Sequence, residues 1–164
     1  LSTNQLCHPS LVPSVRAALA ATGADPRLLC FEITETALGR DLATAVERLK
    51  TLRSLGAKVA IDDFGTGYSS LDRLQSLPIE VLKIDRSFVS GVNGSPRRRA
   101  LLGAIGDLSR SLGMASVAEG VETSAELHCL LDAGCNMAQG YLFGRPSAEI
   151  GTERSVDLDA LLRG

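Results

Sequence analysis

Short β-rich apolar runs alternate with stretches of helical periodicity five times along this chain, with glycine or proline where each helix should stop. Leu28 to Thr34 reads as a strand, followed by a helix from Asp41 to Leu55 whose apolar positions are Leu42, Ala45, Val46, Leu49 and Leu52 and whose stop is Gly56. Lys58 to Asp62 is the next strand, Ser70 to Leu77 a short helix ended by Pro78, and Glu80 to Asp85 a third strand. A helix from Arg97 to Leu112 precedes a strand at Met114 to Ala118, and a helix from Ser124 to Asp132 precedes the last strand, Met137 to Phe143. Strands joined by helical crossovers pair in parallel and are covered by helices, so the fold class is α/β.

Polar residues choose between an open sheet and a barrel. In a β/α barrel, chemistry gathers at the carboxyl ends of many strands, whereas an open sheet concentrates it in one crevice. Glu32, Asp62 with Asp63, Lys83 with Asp85, Glu119 and Gln139 each stand at or near the end of a different strand, which favours a barrel. A complete barrel has eight strands and typically about 250 residues. Five strands, preceded by one helix from Pro9 to Ala21, predict an incomplete barrel whose amino-terminal strands are missing. The chain opens on Leu1-Ser2-Thr3 as if at the end of an earlier strand, and Asp157 to Leu162 reads as a short closing helix.

At 164 residues the chain suits one compact unit, a single partial domain over 1–164. The formal net charge of −2 has no acidic or basic half behind it, so neither duplex nucleic acid nor an anionic membrane is an expected partner. Arg97, Arg98 and Arg99, the only basic run, read as a solvated helix start. Nothing approaches the roughly 20 apolar residues that cross a bilayer, and a cytoplasmic segment is expected. Cys7, Cys30, Cys129 and Cys135 follow no C-x-x-C spacing and read as reduced, structural thiols, Cys30 as a small hydrophobe inside an apolar run. With Trp absent and few aromatics, a base-stacking platform is not expected.

Carboxylates are the ligands hard divalent cations prefer. Asp62-Asp63 closes an apolar strand, and because strand side chains alternate, both can serve one site only if the strand breaks there, a break Gly65 and Gly67 are placed to supply. Lys83 follows Val81-Leu82 in an apolar strand, where an ammonium is costly unless anions face it. Glu32 and Glu35, Glu119 and Glu122, and Gln139 are ambiguous singly and informative together. Asp63-Phe64-Gly65 lacks the loops that accompany the kinase magnesium triplet, and Gly65-x-Gly67 lacks the third glycine of a dinucleotide fingerprint.

Five motifs in order, Phe31-Glu32-Ile33-Thr34-Glu35, Ile61-Asp62-Asp63-Phe64-Gly65-Thr66-Gly67-Tyr68-Ser69-Ser70-Leu71, Leu82-Lys83-Ile84-Asp85-Arg86-Ser87-Phe88-Val89, Val117-Ala118-Glu119-Gly120-Val121-Glu122-Thr123 and Gln139-Gly140-Tyr141-Leu142-Phe143-Gly144-Arg145-Pro146, resemble the EAL domain family of bacterial signalling. The resemblance implies a TIM-like (β/α)8 barrel and hydrolysis of cyclic di-GMP to the linear dinucleotide with two Mg²⁺ or Mn²⁺ ions. It implies Glu32, Asp62 and Asp63 as metal ligands, Lys83 holding the attacking water, Glu119 as acid/base or water-orienting group, and Gln139 completing the water network. Glu122 and Asp85 would support the substrate wall. Glu35 would anchor the Asp63 to Leu71 loop, which in the family links the metal site to a dimer interface, so a homodimer is implied, with an upstream sensor or diguanylate cyclase domain as a further possible partner. The family's Glu-Ala-Leu and the Asn of its Asn-Leu-Ser motif do not occur in this chain, and Gly151 to Ser155 reads as a surface insertion. The segment alone is therefore expected to be inactive. The alternatives are an inactive module that binds cyclic di-GMP as an effector, and a truncated, non-functional fragment.

Overall fold

A computed structural model describes residues 1–38, 41–65 and 71–147, with backbone alone for 71–73. The chain divides into two compact units between Lys83 and Ile84. Gly67, the rest of 66–70, the Gly151 to Ser155 stretch and the expected helix at Asp157 to Leu162 lie outside the described residues.

The first unit runs α1 (Thr3–Cys7), α2 (Leu11–Thr22), β1 (Cys30–Thr34), α3 (Leu42–Ser54), β2 (Lys58–Phe64), α4 (Leu71–Ser76) and β3 (Val81–Ile84), whose last residue opens the second unit. Short α1 carries only one buried residue, Leu6, and is set by its capping box: Ser2 Oγ accepts from Gln5 N while Gln5 Oε1 accepts from Ser2 N. Helix α3 starts at Asp41, whose carboxylate accepts from Thr44 N at 3.0 Å, and buries Ala45, Leu49 and Leu52. These pack with fully buried Ile33, Val59 and Ile61 of the strands, each such side chain contributing about 1.5–3 kcal/mol of burial.

The second unit continues α5 (Arg86–Val89), α6 (Pro96–Ser111), β4 (Ala115–Ala118), α7 (Ser124–Asp132) and β5 (Met137–Ala138). Helix α6 begins with Ser95 as cap and Pro96 at its first position, and its arginines are solvated, as the run suggested; Arg99 donates to Asn93 O at 2.9 Å. Its buried stripe is Leu102, Ile105, Gly106 and Ser109, with Leu101 turned outward. Gly56, Gly113 and Gly134 follow α3, α6 and α7 as expected.

β1 pairs with β2 and β4 with β5 in parallel, and the strands lie in one sheet in chain order, β1-β2-β3-β4-β5. Chain order without reversal is the arrangement of a β/α barrel rather than of a doubly wound sheet. Among the described residues no helix is long and apolar enough to cross a membrane.

Three expectations need correction. The first strand begins at Cys30, not Leu28, because Asp25 accepts from Arg27 N at 2.9 Å and Pro26 starts a 3₁₀ turn over Pro26–Leu28. Leu28 is consequently 85% exposed, and Cys30, at the start of the edge strand, is exposed rather than enclosed. The last strand ends at Ala138, since the chain at Gly140 passes so close to Val121 that a Cβ there would stand 2.2 Å from Val121 O.

Candidate functional site

In the first unit, the β1–β2 register pairs Glu32 with Ala60 and Thr34 with Asp62, so the pleat turns Glu32 and Asp62 to one face and Ile33 and Ile61 to the other, buried one. Lys83 of β3 reaches the same acids: its Nζ lies 2.9 Å from Glu32 Oε1 and 2.9 Å from Asp62 Oδ1. The lysine is only 8% exposed, and an ammonium so enclosed is tolerable because two carboxylates share its charge.

Asp63 breaks the alternation. Its φ of 53° puts a non-glycine residue in the left-handed region within β2, two residues before Gly65, the first of the glycines expected to supply the break. Asp62 and Asp63, both half-buried, can thereby bring one carboxylate oxygen each within 4.8 Å of the other's. Glu35, opening the 3₁₀ turn Glu35–Leu38, accepts from Gly65 N at 3.2 Å through Oε1, while its buried Oε2 has no hydrogen-bond partner among the described residues. Glu35 thus ties down the chain where it leaves β2.

In the second unit, Glu119 follows β4, its N–H donating to Ile84 O at 3.0 Å and its carboxylate accepting from Gln139 Nε2 at 2.7 Å. Gln139 is fixed in turn by backbone bonds, its N–H to Ala118 O and its carbonyl from Val121 N. Arg86 donates to Glu122 Oε1 at 2.7 Å. Asp85 caps α5, accepting from Ser87 N at 2.9 Å, and its hydrogen bond with the Ser87 side chain, against a smaller opposing effect of burial, holds its carboxyl below the usual range.

Arg86, Glu119, Glu122, Gln139, Tyr141 and Arg145 line a pocket of about 530 Å³ in this unit. The Arg145 guanidinium sits 4.6 Å above the Tyr141 ring, a cation–π contact at a half-exposed aromatic. Two guanidiniums, two carboxylates, an amide and one aromatic face can bind a polar, planar, anionic ligand by paired hydrogen bonds and stacking. Gly120 floors the pocket: a Cβ on it would stand 2.5 Å from the Arg86 side chain.

The EAL domain model matches residues 1–146. The chain belongs to the EAL domain family. It is 42% identical over 146 residues to the cyclic di-GMP phosphodiesterase RocR of Pseudomonas aeruginosa, covering 89% of this chain and 37% of that protein. It is 44% identical over 146 residues to the same organism's bifunctional diguanylate cyclase/cyclic di-GMP phosphodiesterase MucR, covering 89% of this chain and 21% of that one. A solved structure of the MucR phosphodiesterase in complex with c-di-GMP superposes with a TM-score of 0.83 at 44% identity, over 89% of this chain and 59% of that chain. The EAL domain of Mycobacterium smegmatis DcpA superposes with a TM-score of 0.84 at 42% identity, over 89% of this chain and 66% of that chain. The chain spans less than two fifths of each of these curated relatives. Its fold is that of these EAL structures, the TIM-barrel type, present here as an incomplete barrel.

Sequence reasoning missed Arg86, Tyr141 and Arg145 as pocket residues although all three lie inside quoted motifs. It also missed Glu126, whose signal was the Thr-x-x-Glu spacing from Thr123.

Proposed function

We propose that this EAL domain, in the protein that carries it, hydrolyses cyclic di-GMP to the linear dinucleotide. The observation that carries the reading is the enclosed Lys83 ammonium held between Glu32 and Asp62, beside a second aspartate whose backbone is strained to face the same way. The relatives named above as cyclic di-GMP phosphodiesterases support the substrate.

The carboxylate spacing of Asp62 and Asp63 fits divalent cations, and these two with Glu32, which shares Lys83 with Asp62, are the residues that would hold them. Two Mg²⁺ or Mn²⁺ ions there would supply Lewis-acid stabilisation of charge developing at phosphorus and a hydroxide at neutral pH. Lys83 contributes a donor for the attacking water and a positive counter-charge beside Glu32 and Asp62. Glu119 takes or returns a proton, held in one orientation by the Gln139 amide. Glu122 and Arg86 form a wall for the dinucleotide, Asp85 fixes the start of α5 that presents Arg86, and Glu35 steadies the loop after β2. The activity belongs to one domain that includes the family's Glu-Ala-Leu segment as well as 1–164, acting as a homodimer through the loop after Asp63.

Turnover of cyclic di-GMP by the full-length protein, compared in Mg²⁺, Mn²⁺ and Ca²⁺, tests this. Hydrolysis in Mg²⁺ or Mn²⁺ is the expected result; tight binding of the dinucleotide without turnover in any of the three ions would replace the enzyme with an effector-binding module.

A further inference from the structure

Glu126 is the most enclosed carboxylate among the described residues, 6% exposed, and no step above uses it. It lies in the first turn of α7 and spends both oxygens on backbone N–H groups of two other segments. Oε1 accepts from Gly91 at 3.0 Å, and Oε2 accepts from Glu122 at 3.0 Å and Thr123 at 3.1 Å. Its own N–H donates to Thr123 Oγ at 3.2 Å.

The two segments it joins are the ones that carry the Arg86–Glu122 pair. Gly91 closes the turn that follows α5, where Ser90 N donates to Arg86 O at 2.8 Å, so Gly91 is coupled to Arg86 through one helical turn. Glu122 is coupled directly, through its own amide. Burial pushes the Glu126 carboxyl up, but its backbone bonds to Gly91, Glu122 and Thr123 outweigh that and hold it below the usual range. A charge kept in so enclosed a place is a device for position, since a neutral side chain of the same length could not accept three N–H bonds with one oxygen.

We propose that Glu126 is a positioning residue for the pocket wall: it locks the α5 turn to the start of α7, so that Arg86 and Glu122 meet across the pocket in the geometry that receives the ligand. The claim rests on the reading of the pocket as the cyclic di-GMP site. It predicts that a defect here raises KM and spares kcat, because the wall binds the dinucleotide without touching the reacting phosphorus. Gln at 126 keeps the shape and gives up one acceptor, whereas Ala gives up all.

The test is steady-state hydrolysis of cyclic di-GMP by the full-length protein, wild type against Glu126→Gln, Glu126→Ala and Leu130→Ala. Leu130, buried on the same helix, is the control for destabilisation alone. The expected result is a KM raised about tenfold in Glu126→Ala and less in Glu126→Gln, with kcat within about twofold of wild type, and no KM change in Leu130→Ala. In parallel, the ¹⁵N–¹H signal of the Arg86 guanidinium is compared in wild type and Glu126→Gln without substrate. A shifted or exchange-broadened signal is expected. Equal KM in both Glu126 variants and wild type, or an Arg86 signal unmoved by Glu126→Gln, overturns the proposal. Absence of turnover in wild type overturns the enzyme reading instead and leaves the Arg86 signal to decide this one.

Discussion

At the scale of single residues, the informative anomaly is a lysine in an apolar strand. Lys83 was legible from sequence because the cost of an enclosed ammonium does not depend on fold, and its two partners lie on neighbouring strands at similar depth. Arg86 was not legible, because a surface arginine after an aspartate carries no local cost; its place follows from Glu122, 36 residues away. Removing the Lys83 charge while keeping its bulk separates two roles. Lys83→Met leaves Glu32 and Asp62 facing each other uncompensated, at a cost of about 2 kcal/mol in the absence of divalent ions, the figure held down because Glu32 is half-exposed. If these acids are metal ligands, Mg²⁺ or Mn²⁺ restores stability to the variant without restoring turnover. Urea unfolding with and without the ions measures it; a loss of stability that the ions do not repair would remove Glu32 and Asp62 from the ligand set. Asp62→Asn tests the same assignment from the other side, with kcat expected to fall on the order of a thousandfold while the fold survives.

At the scale of elements, helix positions were readable because buried stripes such as Ala45, Leu49 and Leu52 repeat with the helical period, and glycine marks their ends. Strand ends were less so. The Asp25-Pro26 turn and the approach of Gly140 to Val121 are set by local capping and by tertiary contact, neither of which disturbs an apolar run. Gly140→Ala should therefore do more than an ordinary turn substitution. The added Cβ meets backbone that cannot swing aside, so the Gln139 turn must shift, costing about 1–3 kcal/mol and raising KM for cyclic di-GMP; thermal melts and kinetics on the same sample check both. The start of α7 carries a pH dependence of known sign. Because the folded-state carboxyl of Glu126 titrates below the ordinary glutamate value of 4.5, its contribution is fully present above that value and is lost as pH falls through the folded value. Wild type should lose stability on acidification below about 4.5 more steeply than Glu126→Gln, which has no carboxyl to protonate. Parallel denaturant-stability curves against pH for the two proteins would count against this assignment.

At the scale of the whole chain, the barrel type was legible because chemistry-bearing residues recur at several strand ends, and strand order confirms it by never reversing. The division between Lys83 and Ile84 was not, because it falls inside β3, where no run of Gly, Pro or polar residues marks a boundary. Chain order also leaves β1 at an edge of the sheet, with Leu28 85% and Leu29 36% exposed just before it and Cys30 exposed at its first position. Outward-facing N–H and C=O groups of an edge strand beside exposed leucines are a template for another strand. The 164 residues taken alone should therefore self-associate as concentration rises, and Leu28→Lys, which puts a charge beside the edge without touching any buried side chain, should weaken that association. Sedimentation velocity over roughly the micromolar to millimolar range reads it directly. A wild-type segment that stays monomeric throughout, or a Leu28→Lys variant that associates equally well, would mean that this edge is protected by something other than the residues that flank it.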